Sequence, residues 1–366
     1  MPFDHHHYVP CLRWKQGEYQ AVSRLPVTMK GKFTPLIEVP EIGWDHERSR
    51  RAKTIDEHLA PFAKRVHKKW GTQACFVDLG ILAPDEYLET GVHPLCFVFD
   101  ELRAMKCLAI PVIELGRTKT FQQEVRRVLD EDDSGVCLRL SIEQAAKRSV
   151  KVDVDRLLAL LVVAPRNCDL ILDLGAPNFV PLDGFCKAVQ AIMSRLPHLL
   201  EWRNFAIVGT SFPETMASIR TGGEIVPRHE WRLYKLLVAR LNEVSTRLPT
   251  FGDYAIAHPK VLDLDMRLVK PSATIRYASE DSWYIAKGKN VRDYKFAQYR
   301  ELSRSVVDSR HYCGPAFSWG DDYILKCADG SGKTGNLSMW RQVGTNHHIA
   351  MVVRDIASFY AASDSR

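Results

Sequence analysis

Six short runs in this chain repeat one pattern: VPCLRW, TPLIEVP, ACFVDLG, IPVIELG, GVCLRLS and LILDLG. Each is an apolar, often β-branched stretch, then one charged residue, then one apolar residue, usually closed by a breaker. Two weaker members, FAIVGTSFP and DYAIAHP, bring the number to eight between residues 8 and 259. Near-continuous apolar strands of this kind belong to parallel sheets covered on both faces.

Helical signals fill the intervals. Thr54 with Glu57 and Ser141 with Gln144 form capping boxes. Apolar spacing predicts further helices over 95–107, 119–130, 154–163, 182–195 and 228–243. Eight strand–helix units over about 250 residues match a (β/α)8 TIM-like barrel in number and size. The rival, an open doubly wound sheet, lacks its usual glycine fingerprint after the first strand. The barrel is therefore expected over 1–260. Residues 261–366 are expected to form a C-terminal α+β extension, a hairpin plus helices, packed on the barrel as a lid over its mouth. In this segment ATIRYAS and SWYIAKG read as the hairpin, and helices are expected over 293–307, 317–327 and about 345–362.

Aligning the runs places one polar residue at the same point of each strand: Arg13, Glu38, Asp78, Glu114, Arg139 and Asp173, then Gly209 to Ser211, then His258. Side chains alternate along a strand, so Glu38 shares a face with Leu36, opposite Ile37 and Val39. The outer face must meet helices and should be apolar, which points the charges into the barrel at its C-terminal rim, where catalytic groups gather. Buried charges need partners. Arg13 is expected to pair with Glu38, and Arg139 with Glu114 and Asp173, which leaves Asp78 between acids without a cation. Crowded carboxylates raise one another's pKa or hold a cation. Asp78, Glu114, Asp173 and Glu38 are thus the candidate acid/base groups, with His258 as a further proton-transfer group. Asp78 and Glu114 are the candidate ligands of a divalent metal ion. A ring of salt bridges that simply plugs the barrel is the structural alternative.

Candidate binding residues follow from the same rim. Lys15 and Glu18 lie in the loop after the first strand, with Arg13 and Arg139 as anion partners. Ser211 has no nucleophile elbow around it. Arg228, His229 and Glu230 open a helix, whose start can hold an anion. Gly330-Ser331-Gly332-Lys333-Thr334 lacks the first glycine of a phosphate loop and reads as a plain loop. In the last hundred residues Arg276, Trp283 and Lys287 belong to a set of aromatics interleaved with cations, which suits stacking a base and holding phosphates. Thr345 or Asn346 is expected to cap the last helix, and Asn346 and His347 are candidate site residues. Of the adjacent His347 and His348, about 100° apart on a helix, only one can easily join a site.

Composition sets limits. Hydrophobic residues make up 46% of the 366, enough for a sizeable core and against disorder. Fifty Lys and Arg stand against 44 acids, a net charge of +6, which is mild for a dedicated nucleic-acid binder. Nine cysteines, an odd number without a C-x-x-C pair, suit a reducing compartment. The N-terminus has no apolar signal core and no run reaches membrane length, so a cytoplasmic protein is expected.

The stretches YVPCLRWKQGEYQAV and PLIEVPEIGW, the endings FVDLG and VIELG, and the terminal GTNHHI resemble the Beta protein family of phages, prophages and bacteria. Trp14, Lys15, Gly17, Glu18, Glu38, Asn346 and His347 carry the match. The resemblance implies a phage- or mobile-element-associated bacterial protein of the cytosol. It implies no reaction and no role for any of these residues. The residues themselves lead to two expectations. One is a hydrolase-like enzyme acting on a phosphate- or nucleotide-containing substrate at an acidic barrel mouth, in the setting of phage–host conflict. The other is a non-catalytic binding or sensor protein for a phage or host protein or nucleic acid, with the charged ring structural.

Overall fold

The computed structural model describes residues 2–244, 246–260 and 269–364. Thirteen strands are found among them, and eight close into a parallel barrel. In chain order these eight are β1 (Tyr8–Leu12), β2 (Leu36–Glu38), β5 (Cys75–Asp78), β6 (Ala109–Glu114), β7 (Val136–Ser141), β8 (Cys168–Asp173), β9 (Asn204–Val208) and β11 (Thr250–Asp253). Two short strands, β3 (Trp44–Asp45) and β4 (Arg50–Arg51), form a ribbon after β2. The other three, β10 (Glu224–Pro227), β12 (Ser272–Ala278) and β13 (Ser282–Asn290), make an antiparallel sheet in the order β10, β13, β12.

The alternation read from the sequence is the one that folds. Val9, Cys11, Leu36, Phe76, Ile110, Val112, Cys137, Ile171, Ala206 and Val208 pack together inside the barrel. Their neighbours Tyr8, Leu12, Ile37, Val77, Ile113, Leu138 and Leu170 face outward into the layer shared with the helices. Both capping boxes form as expected, Thr54 with Glu57 and Ser141 with Gln144, and each fixes where a helix begins.

The eighth strand departs from the expected run. It spans Thr250–Asp253 and ends where DYAIAHP begins. Ala255 takes a φ of 49°, which no strand tolerates, and its N–H bonds Asp253 Oδ1 at 2.8 Å. This Asp-closed turn stops the strand. Two other strands end the same way: Asp78 Oδ1 accepts from Gly80 N–H at 2.7 Å, and Asp173 Oδ1 from Gly175 N–H at 2.8 Å. The recurring Asp-Leu-Gly ending is therefore a strand-stopping turn as well as a source of charge.

The expected hairpin forms from β12 and β13, joined by β10 from the segment between β9 and the helix His229–Glu243. The last helix runs Leu337–Asp364, longer than expected. Its start is capped by Asn336, whose Oδ1 accepts from Met339 N–H at 2.9 Å. Thr345 and Asn346 thus lie inside the helix, where both are buried. The helix lies between the barrel and the hairpin sheet, so its buried polar residues must bond on both sides. Asn346 bonds Gly320 N–H and Ala21 O, at 3.0 and 3.1 Å. His347 turns toward the extension, bonding Asp321 and the Ala278 carbonyl. His348 turns toward the barrel, with Nε2 at 2.7 Å from Asp253 Oδ2. The expected boundary at 260/261 touches residues outside the described ones.

Candidate active site at the barrel rim

The inward charges meet at the C-terminal end of the barrel, and one residue organises them. Arg139, on β7, spans the interior. Its Nη1 donates to Asp78 Oδ2 at 2.7 Å and to Glu38 Oε1 at 2.9 Å. Its Nε donates to Asp173 Oδ2 at 2.9 Å, and Nη2 to the Tyr254 hydroxyl at 2.8 Å. The Tyr254 hydroxyl in turn donates to Asp173. Burial alone would lower the pKa of Arg139, but Tyr254, Asp173, Asp78 and Glu38 more than offset it and hold it well above its ordinary value. The expected pairing of Arg139 with Asp173 is present. Glu114 instead pairs with Arg117 at 2.9 Å.

This arrangement changes the part assigned to Asp78. It was expected to lack a cation, and it has one from two strands away. One of its oxygens closes the turn at Gly80 and the other holds Arg139. Asp173 is occupied in the same manner. Glu38 is buried, which pushes its pKa up against the pull of Arg139. Its second oxygen makes the expected ion pair with Arg13, 3.8 Å from Nε and so beyond a hydrogen bond. Burial also raises Glu114, yet its side chain stays 37% exposed. Among the described residues no group of three His, Cys, Asp or Glu side chains is placed to hold a metal ion.

His258 stands outside the ring because the eighth strand ends earlier. It lies in the following loop, where its Nδ1 accepts from Lys260 N–H and burial lowers its pKa. The eighth strand's place at the ring is taken by Tyr254, which the sequence reading missed.

Several expected ligand-binding groups have structural partners. Trp283 is fully buried and stacks on His348, with ring centroids 4.7 Å apart, so no base can reach its face. Lys287 donates to the Met216 and Ile219 carbonyls. Ser211 accepts from His229 N–H and pairs with Glu230, which ties the start of that helix. Arg228 is buried against Asp355. His347 stacks on Tyr277 and is buried with Asp321. Gly330 takes a left-handed turn at the end of the helix Trp319–Asp329.

Three arginines gather near the rim, around the buried Glu18. Arg13 Nε is buried without a hydrogen bond, facing Glu38 Oε2 at 3.8 Å, and its Nη2 donates to the Pro259 carbonyl. Arg276, from β12, also has a buried Nε with no partner and lies over the Phe212 ring. Arg341, from the last helix, donates to the Ile256 carbonyl at 3.0 Å. Burial and then the like charge of Arg341 push Arg276 down to about 9, so it stays charged at neutrality at an electrostatic cost. Arg341 is lowered by burial too, with Glu18 opposing and Arg13 adding to the fall. Gly17 makes this approach feasible: a Cβ there would stand 2.5 Å from Arg341 Cγ. Lys15 sits at the edge of the group, paired with Glu41 and half-exposed. Arg341 was not singled out from the sequence, because nothing in its helix reveals that its side chain reaches back to the first strand.

Fold and rim together define a (β/α)8-barrel protein with an α+β extension whose arginines reach the barrel's C-terminal end. The chain belongs to the Beta protein family, which residues 8–354 match. No curated protein matches it. Among the described residues no helix is long and apolar enough to cross a membrane.

Proposed function

We propose that this protein binds a phosphate-bearing anion at the barrel rim, on Arg13, Arg276 and Arg341, above a ring that Arg139 closes. The observation that carries this reading is the contrast between the two charge sets. The ring acids of Asp78 and Asp173 spend both oxygens on Arg139 and on backbone turns. The rim arginines have two buried Nε–H groups without a hydrogen bond, both near Arg341, and the like charges are held at a cost that an anion would relieve. The ring is then a rigid plug, and the ligand makes its contacts with the cations over it.

The test is a thermal-shift titration with inorganic phosphate and a nucleoside monophosphate, against chloride at matched ionic strength. The melting temperature is expected to rise saturably with the phosphates, and the rise is lost in the Arg276→Gln/Arg341→Gln double variant. An equal rise in that variant, or none specific to phosphate in the wild type, would overturn the reading.

A hydrolase reading is favoured by one observation alone. Glu114 is the ring carboxyl with its proton affinity raised by burial and its side chain still open to solvent. That combination suits a general acid. Turnover of a phosphate ester that Glu114→Gln abolishes, with binding retained, would establish this reading; turnover unchanged in that variant would exclude it. The phage or host protein partner draws no support from the rim's chemistry.

A further inference from the structure

The rim seat contains a group of the wrong sign for a simple anion site. Glu18, on the helix Gln16–Ser23, is only 6% exposed, and its Oε2 is buried without a hydrogen-bond partner. The charged groups around it come from three elements: Arg341 from the last helix, Arg13 from the end of β1, and Lys15 from the loop between. Gly17, the residue before it, is the one packed against Arg341 Cγ. So Arg341 stands between this unbonded acceptor and Arg276, whose buried Nε has no hydrogen bond, while Arg13 Nε has only the 3.8 Å ion pair with Glu38. A ligand that offers only acceptors would satisfy the arginines and leave a buried carboxylate facing its negative oxygens. A ligand with both acceptors and one O–H satisfies all of them.

We infer that Glu18 makes the rim seat selective for an oxyanion that carries a proton, phosphate rather than sulfate; this rests on the anion-binding reading above. The phosphate oxygens accept from the arginines, and the phosphate O–H donates to Glu18 Oε2. No covalent bond changes; one proton lies between the phosphate oxygen and the carboxylate. Sulfate carries no proton near neutrality, so for sulfate to bind, Glu18 must bring the proton itself. Burial already raises the proton affinity of Glu18, against the pull of Arg341, Lys15 and Arg13. Sulfate binding should therefore strengthen as pH falls toward the carboxylate range, and phosphate binding should change much less.

Isothermal titration of the full chain with inorganic phosphate and with sulfate tests this, near neutral pH and about two pH units lower. Phosphate is expected to bind at least about tenfold tighter than sulfate near neutrality, the scale of one charged hydrogen bond lost in a buried site. In Glu18→Gln the amide donates to either anion, so the ratio collapses toward one through stronger sulfate binding and weaker phosphate binding. Equal affinity for the two anions in the wild type would overturn the selectivity while leaving the anion seat standing. Binding of neither would overturn the seat itself. Should Glu18→Gln fail to fold, the wild-type sulfate titration decides alone: an affinity that does not rise at the lower pH contradicts the role of Glu18.

Discussion

Arg139 and Asp78 sit on strands β7 and β5, with β6 between them, yet the Arg139 Nη1 group donates to Asp78 Oδ2 across 2.7 Å. The guanidinium reaches over the barrel axis instead of pairing only with its neighbours. Asp78, Glu38 and Asp173 are therefore compatible in one interior because a single cation serves all three.

Replacing Arg139 with Met should leave these acids buried and uncompensated. The expected loss is about 3–5 kcal/mol, the range for removing one partner of a buried ion pair. Burial raises the pKa of Glu38 in the folded state, so its folded form holds a proton to higher pH than the unfolded chain does. Its contribution favours folding at acidic pH and is lost as pH rises through the folded value. Without Arg139 this trend steepens. Urea unfolding of wild type and Arg139→Met should differ less near pH 5 than near about pH 7.5. A variant as stable as wild type at the higher pH would show that the ring does not depend on Arg139.

Arg276 is held beside Arg341 without an acidic partner among the described residues. Arg276→Gln should raise the stability of the ligand-free protein by about 0.5–2 kcal/mol, as relief of strain at a binding site commonly does, while reducing the stabilisation that phosphate gives. Melting with and without phosphate reads both effects. A variant that loses stability in both conditions would mark Arg276 as a structural residue.

The close pass of the last helix over the first gives a second handle on the rim. In Gly17→Ala the new Cβ would meet Arg341 Cγ and Cβ at 2.5 and 2.6 Å. The expected cost is about 1–3 kcal/mol, the range for overpacking. Phosphate binding should weaken with it, because Arg341 must move. Denaturant melts and phosphate titration of this variant give the two values, and unchanged phosphate binding would separate Arg341 from the seat.

The Asp253–His348 pair joins the barrel to the last helix. Burial lowers His348 against the pull of Asp253, so the folded protein keeps it neutral where the unfolded chain takes up a proton. Burial would raise Asp253, but the hydrogen bonds it accepts from neutral His348 and from Tyr8, with the charge of Arg228, hold it below its ordinary value. Both shifts have the same sign for stability. It is complete above the ordinary histidine pKa, falls as pH drops below about 6.5, and falls further through the acid range of Asp253. In His348→Gln the slope of stability against pH below about 6.5 should be shallower by up to about 1.4 kcal/mol per pH unit, one proton's worth. Chemical denaturation at several pH values measures it, and parallel slopes would place His348 outside this linkage.

Much of this was legible in the sequence, and the reasons for the rest are physical. Strand alternation alone put Glu38, Asp78, Glu114, Arg139 and Asp173 on the inner face, because that signal is local. Partner choice was not local. A long arginine in a closed barrel reaches any strand, so order around the ring could not forecast the Arg139–Asp78 contact. The eighth strand was misplaced by a few residues because DYAIAHP keeps an apolar rhythm, while the left-handed Ala255 that ends the strand leaves no mark in composition. Trp283 and Lys287 read as ligand-binding residues from their chemistry. Burial and carbonyl partners, which only the packed chain reveals, gave them other work. Arg341 was hidden for the opposite reason: it belongs to the rim only through a crossing of the first and last helices.

The anion seat is tested most directly by crystals soaked in tungstate, a strongly scattering phosphate analogue, with the anomalous signal of tungsten locating the anion. The expected result is one ordered site within hydrogen-bonding reach of Arg13 Nε and Arg276 Nε, absent from crystals of Arg276→Gln/Arg341→Gln. A tungstate bound elsewhere on the barrel, or no site at the rim at a concentration that saturates binding in solution, would contradict the account.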